Sequence, residues 1–541
     1  MLAPQASLNE QDHARGVRWL LVDAAAATAI GALNSGVVLL ALALHIGAST
    51  IEIGILAAIP LLTQILQAPT VKLVERWRTR KRISVVSVFV ARLALPVYAT
   101  VPFIPDPRLA TGVLIIAALL HYGLNAVCAC SWNSWIRDLI PSEQLGRFSS
   151  RRGAYGTIVS AMATVAAALA LGIAEGDRAA GDRVFAGLYF AGFVLGLIST
   201  GALARVPEPL MHPNPDRTSL SKLLIEPVRH VNFRKLLRYI ASWQFAVNLA
   251  TPFFTVYFVR ELGFSMSFVL VLTVVSQLAN VAVVRGWGHL SDRFTNKSVL
   301  ALASPIFILC IAGMAFSNEF GSEEARAAWL IALHVLMGAA GAGVGLAAGN
   351  IVMKLSPVGG ATSFMAANAL VSALAAGTAP IVGGWAADFF ARRQLALTLD
   401  WTSPSGVEEL IGLSLSSWEF FFVLSALMGL YSLHRLSVIE EPGSVERREV
   451  VHHIFTSARR TLRNVSSVAG LRLAVSFPGG DLINLRQRPA LLLEDLYESD
   501  KRVSPAPPDL TTMHQLLDVA FGKPDHDRSF EDLLRRLDGV A

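Results

Sequence analysis

Residues 288–297 read Gly288-His289-Leu290-Ser291-Asp292-Arg293-Phe294-Thr295-Asn296-Lys297, and the chain carries a degenerate copy of this stretch 217 residues earlier. Leu73-Val74-Glu75-Arg76-Trp77 pairs with Leu290-Ser291-Asp292-Arg293-Phe294, and Arg80 pairs with Lys297. Working outward, Asn133, Arg137 and Pro141 align with Asn350, Lys354 and Pro357, and Gly47-Ala48-Ser49 aligns with Gly263-Phe264-Ser265. Matches in nearly one register over so long a stretch indicate a duplicated unit. A chain of two like halves points to a transporter with its site between them.

Composition sets the medium in which those halves fold. Of 541 residues, 53% are hydrophobic and 16% charged, against about 25% charged in a soluble domain. That excludes a disordered chain, a secreted disulfide scaffold and an ordinary soluble enzyme, and leaves a polytopic membrane protein. Cys128, Cys130 and Cys310 all lie in apolar segments, with neither a disulfide framework nor zinc spacing. The first eighteen residues lack the apolar core of a cleaved signal peptide. No Walker loop, Gly-x-Ser-x-Gly elbow, paired-His metal motif or dinucleotide fingerprint occurs, so the chain reads as a non-enzyme without cofactor or metal.

A spanning helix needs about 20 mostly apolar residues. Twelve such runs are read. The first six are Trp19–Leu44, Ile53–Leu73, Ile83–Phe103, Leu109–Ile136, Tyr155–Gly172 and Val184–Ala204. The second six are Leu237–Val259, Phe268–Arg285, Ser298–Ser317, Ala327–Met353, Ser363–Ala386 and Trp418–His434. The expected organisation is a cytoplasmic N-terminus (1–18), a six-helix bundle (19–204), a cytoplasmic central loop (205–236), a second bundle (237–434) and a cytoplasmic tail (435–541). In that tail, Val450, Val451, Ile454, Phe455, Ala458 and Leu462 recur at helical spacing among arginines, a basic amphipathic helix suited to an anionic surface. An acidic segment follows, which could serve a cytoplasmic protein partner or be a plain extension.

The net charge of +6 comes from residues clustered in alternate short loops, among them Lys72, Arg76, Arg78, Arg80, Lys81 and Arg82, then Arg137, Arg147, Arg151 and Arg152. The positive-inside rule therefore puts both termini in the cytoplasm of a cell with the protein in its inner (plasma) membrane; a nucleic-acid partner is not indicated.

Gly288-x-Leu290-x-Asp292-Arg293, with Lys297 shortly after, resembles the loop signature of the major facilitator superfamily, and the resemblance covers about residues 15 to 440. The first copy departs from it at Val71, in place of glycine, and at Glu75, in place of aspartate. The resemblance implies an all-α membrane protein: twelve transmembrane helices in two six-helix pseudo-repeats, working by alternating access. It also implies a cytoplasmic gate of Glu75, Arg76, Arg137, Gly288, Asp292, Arg293, Lys297 and Lys354. There Glu75 would meet Arg137 and the start of the eleventh span, and Asp292 would meet Lys354 and the start of the fifth. The pairs would form when the cavity opens outward and break when it opens inward. A carboxylate near a helix N-terminus is worth about 0.3–1 kcal/mol.

Ionisable groups at bilayer depth are costly and therefore mark function by default. Arg92, midway along the third span, reads as the counter-charge for an anionic substrate or as the partner of a buried Asp23. Asp23 reads as a proton-coupling carboxylate or as a cap on the first helix. The family's cavity-lining spans (one, four, seven and ten) offer Asn34, His121, Asn125, Asn133, Trp243, Gln244, Asn248, Tyr257, His334 and Asn350, and Asn280 joins them from the eighth. His121 is the proton-relay candidate, with hydrogen bonding as its plainer role. The expected function is secondary active transport of a small organic solute, coupled to protons as a symport and with an anion favoured by Arg92. The alternative is a receptor or assembly factor on the same scaffold, acting through the tail.

Overall fold

A computed structural model describes residues 4–5, 9–211, 220–357, 361–390, 393–403 and 406–441. All of them fall in one unit, Met1–His452; the amphipathic helix and acidic segment expected in the tail lie outside the described residues.

Eleven helices among the described residues are long and apolar enough to cross a membrane. A further helical run, Val231–Ala250 followed by Thr251–Phe253 and Phe254–Arg260, occupies the seventh place. Its lower hydropathy comes from Gln244, Asn248, Thr251 and Pro252. Large apolar side chains such as Ile116, Met162, Leu169 and Leu309 stand exposed along the outside, as a lipid-facing surface requires.

The helices run past the apolar runs at their basic ends. The first begins at Glu10, nine residues before the apolar run, because Asn9 and Asp12 form a reciprocal capping box. It breaks at Ser35–Gly36, where Gly36 takes φ +54, and resumes as Val37–His45. The fifth begins at Ser142, well before the expected Tyr155. The quoted motif is itself helical: the eighth helix, Met266–Arg293, ends on it, and Thr295 caps the next helix by accepting from the Ser298 amide at 3.2 Å. Its first copy likewise closes the helix Gln67–Trp77, with Arg78 in the left-handed region at φ +50. Leu220–Arg229 forms a short helix in the expected central loop.

A two-stranded antiparallel hairpin lies between the last two spans, β1 (Gln394–Ser403) against β2 (Gly406–Ser416), with a register shift at Leu399/Asp400. It is a local addition to a fold that is otherwise helical among the described residues, as expected. The signal was present in the alternation Leu395-Ala396-Leu397-Thr398-Leu399-Asp400-Trp401.

Three cores organise the packing. At the end remote from the basic loops, one core joins both halves, from Leu39, Ile53, Leu95 and Leu114 to Phe253, Tyr257, Leu270 and Phe421. At the basic end each half has its own: Leu20, Val88, Trp135 and Leu203 in the first, Phe233, Val299, Ile351 and Phe364 in the second.

Candidate functional site

The sealed end is made by backbone approach. A Cβ on Gly54 would overlap the Pro380 carbonyl oxygen, and one on Gly384 would come within 2.8 Å of Thr50 O and 3.0 Å of Ile51 Cα. Gly172 leaves room for the Ser267 side chain, whose Oγ lies 2.9 Å from where a Cβ would sit. One hydrogen bond crosses there, donated by Arg260 Nη2 to Ala48 O at 2.8 Å.

At the basic end the halves part around a cavity of about 860 Å³. Its wall is built by the first helix (Ala24, Thr28), the end of the fourth (Trp132, Asn133, Arg137), the start of the fifth (Arg152, Gly156, Ser160) and the middle of the eighth (Ser276, Gln277, Asn280). A second cavity of about 490 Å³ shares Thr28, Ser160 and Gln277 with it and reaches the break at Ser35–Gly36. The Arg152 guanidinium stacks over the Trp132 ring with its carbon 4.6 Å from the centroid. Arg152 Nε and Gln277 Oε1 are buried atoms without a hydrogen-bond partner among the described residues.

Asp23 sits behind this wall. It lies well inside the first helix, so it is not a helix cap. It is buried and accepts a hydrogen bond from Ser199 Oγ of the sixth helix at 2.6 Å. Arg152 of the fifth helix and Arg92 of the third act on it electrostatically, and it acts on Cys128 of the fourth.

The structure places most of the other sequence candidates in helix packing. Arg92 is buried with its side chain against Gly196, its Nε unpartnered, and it lines neither cavity. No ion pair joins it to Asp23 among the described residues. Asn34 donates to Leu188 O at 3.2 Å and His121 Nδ1 bonds Ala91 O at 2.9 Å. Asn125 donates to His121 O, and Asn248 to Gln244 O, each along its own helix. Trp243 is buried edge-on to Phe307. His334 Nδ1 bonds Leu330 O, with its ring beside Phe258. Asn133 and Asn280 are the cavity candidates that the larger cavity's wall includes.

Among the described residues, those expected to form a gate make none of the expected pairs with one another. Glu75, Arg76, Arg137, Asp292 and Arg293 are exposed, and among the described residues no ion pair joins Glu75 to Arg137 or Asp292 to Lys354. Lys354 Nζ instead pairs with Glu441 Oε1 at 2.9 Å. Glu441 also accepts from the Lys297 amide at 2.6 Å, while Lys297 Nζ donates to Ile439 O at 2.6 Å. Gly288 has only the Leu346 side chain near, at 3.9 Å from where a Cβ would sit.

A matching tie escaped the sequence reading in the first half. Glu208 accepts from the Arg80 amide at 2.7 Å, and the fully buried Arg80 guanidinium bonds Asp138 and donates to Pro209 O at 2.9 Å. Burial pushes the Glu208 carboxyl above the ordinary range, and the Arg80 and Lys81 amides and the Arg80 guanidinium pull it part of the way back. In each half, then, a glutamate just after the last helix caps the third helix of that half.

A family model described as Major Facilitator Superfamily matches residues 20–380. The chain belongs to the Major Facilitator Superfamily. Among solved structures of that fold it is similar to the nucleoside transporter NupG in a mutant form (13% identity, 79% of this chain and 100% of that chain, TM-score 0.58). It is also similar to the D-xylose-proton symporter (14%, 81% and 99%, 0.55). A third is a bacterial homologue of the human lysosomal transporter Spinster, inward-facing and unoccupied (18%, 71% and 84%, 0.53). No curated protein sequence matches the chain. Superfamily membership makes it a multi-pass integral membrane protein of the transporter type, for which the motif at 288–293 was the readable sign.

Proposed function

We propose that this protein is a proton-coupled secondary transporter of a small organic solute, seen with its binding cavity open to the cytoplasm. The observation that carries the reading is the large cavity between two separately packed cores at the basic end, set against one shared core at the other. The positive-inside rule makes the basic end cytoplasmic, with both termini there and the protein in the inner (plasma) membrane. A receptor or assembly factor working through its tail would need no such opening.

Asp23 is the coupling group on this reading. An ionisable side chain held at bilayer depth beside the cavity wall is costly to keep there and marks function by default. The groups facing it are Ser199 from the sixth helix, Arg152 from the fifth, Arg92 from the third and Cys128 from the fourth. In the opposite conformation the parted ends come together, and Glu75, Arg137, Asp292 and Lys354 are positioned to bridge the halves. For Lys354 this means leaving Glu441.

Proteoliposomes enclosing a pH-sensitive dye test the coupling with a panel of small organic solutes. At least one solute drives proton movement with the wild-type chain. Asp23→Asn retains solute exchange and loses the proton signal. Uptake unaffected by a pH gradient in the wild type would remove proton coupling and leave facilitated exchange.

A further inference from the structure

We infer that the cytoplasm-open cavity is a site for a small organic anion, held by Arg152 on the first half and by Gln277 and Asn280 on the second. The inference rests on the transporter reading and names its substrate class. Its ground differs from the sequence argument, because Arg92, the arginine that suggested an anion, does not reach the cavity.

Among the described residues, the wall of the larger cavity carries two cations, Arg137 at the mouth and Arg152 further in, and no carboxylate. Asp23 stands behind the wall with one oxygen taken by Ser199, and Arg92 offsets it from the far side. The charges around the site among the described residues therefore sum to a positive excess, and a cleft lined by one sign of charge raises the local concentration of an anion. Arg152 is also held in place: Trp132 packs against its face, which fixes the guanidinium plane while its buried Nε has no partner. A planar fork held so suits the two oxygens of a carboxylate or phosphate.

Across the cavity, Gln277 Oε1 is likewise buried and unpartnered, one turn from Asn280 on the eighth helix. Between the two polar ends lie Trp132, Ile136 and Val281, which fit an apolar body. A ligand with an acidic group at one end and a hydrogen-bonding group at the other contacts both halves at once. That gives a reason why occupancy biases the closure of one half on the other, since a ligand shifts an equilibrium only by its differential affinity for the two states.

The test uses the full chain in nanodiscs and four probes of one shape: benzoate, phenyl phosphate, benzyl alcohol and benzylamine. Thermal stabilisation reads binding. Benzoate or phenyl phosphate raises Tm and the alcohol and amine do not; Arg152→Gln weakens the anion's apparent affinity at least tenfold. Asn280→Ala weakens it less, and Arg82→Gln, an exposed arginine outside the cavity, leaves it unchanged. Stabilisation by benzyl alcohol or benzylamine to the same degree, or equal anion affinity in Arg152→Gln, overturns the assignment. Repeating the titration with phosphatidylglycerol in the disc separates solute from lipid. Loss of the anion's effect there assigns Arg152 to a lipid headgroup and overturns the solute site. Counterflow of the binding probe in proteoliposomes is read separately. A cationic or neutral probe that is carried removes the anion class but keeps the transporter; anion binding without counterflow removes the transporter reading itself.

Discussion

The two ends of this molecule are held by different kinds of contact. At the sealed end the halves meet each other through one continuous core and through glycines that let backbones touch, with Arg260 donating to Ala48 O. At the basic end each half is tied to itself: Glu208 to the start of the third helix, Glu441 to the start of the ninth and to Lys354. Strong polar ties thus lie within the moving parts, and apolar close packing lies between them. Close packing is lost and regained without stranding a charge, whereas breaking a buried ion pair leaves one uncompensated. A rocking mechanism needs this division: rigid halves and a seam that can part.

The largest effect expected from breaking the comparison is at Gly54. Gly54→Leu puts a side chain into the Pro380 carbonyl, and overpacking of this kind costs about 1–3 kcal/mol. Because the cost falls on the sealed state alone, the populations shift away from the form open at the basic end. Spin labels at Val71 and Met353, exposed on opposite halves, should show a shorter distance between them, together with loss of transport. An unchanged distance distribution would show that the seal does not set the conformation.

Smaller effects on conformation are expected from the ties within a half. Glu208→Gln and Glu441→Gln should each cost about 1.5–3 kcal/mol of stability, the worth of a hydrogen bond to a charged group, read as a lower Tm with the Val71–Met353 distance unchanged. A pH dependence accompanies the first. With its carboxyl raised above the ordinary value by burial, folded Glu208 keeps a proton that the unfolded chain has released. Stability therefore falls as pH rises through that interval, and Glu208→Gln should flatten the slope. Glu440 has the opposite sign, because its bond to Lys235 lowers it, so its contribution is lost as pH falls. Arg260→Gln is the mildest change, about 0.5 kcal/mol for an exposed donor, and should move the label distances by a barely resolvable amount in the direction Gly54→Leu moves them.

The fold was legible because hydropathy and the repeated motif report on the bilayer and on duplication, and both are properties of long stretches. Even the seventh span was readable, although Gln244 and Asn248 keep it less apolar than the rest. The site was less legible for a local reason. The apolar-run criterion starts the fifth span at Tyr155, so Arg152 was counted as loop charge, whereas the helix begins at Ser142 and carries Arg152 and Gly156 into the cavity wall. Arg92 misled in the other direction: depth in the bilayer is visible in sequence, but the side of the helix that faces the cavity is decided by neighbours such as Gly196. The two capping glutamates had a signal, a Glu-Pro pair after each half's last helix at Glu208-Pro209 and Glu441-Pro442. Their spacing of 233 residues does not match the 217-residue register of the motif, so the alignment that revealed the repeat concealed them.

The shared core gives the molecule a fulcrum placed near one end of its levers. A sub-ångström repacking where Gly54 and Gly384 meet the opposite backbone is multiplied along helices that run the depth of the bilayer, and at their other ends it becomes an opening wide enough for a solute. On the proposed reading, residues that face only the wide end, Arg152 and Asn280 among them, are free to change with the solute while the pivot stays as it is.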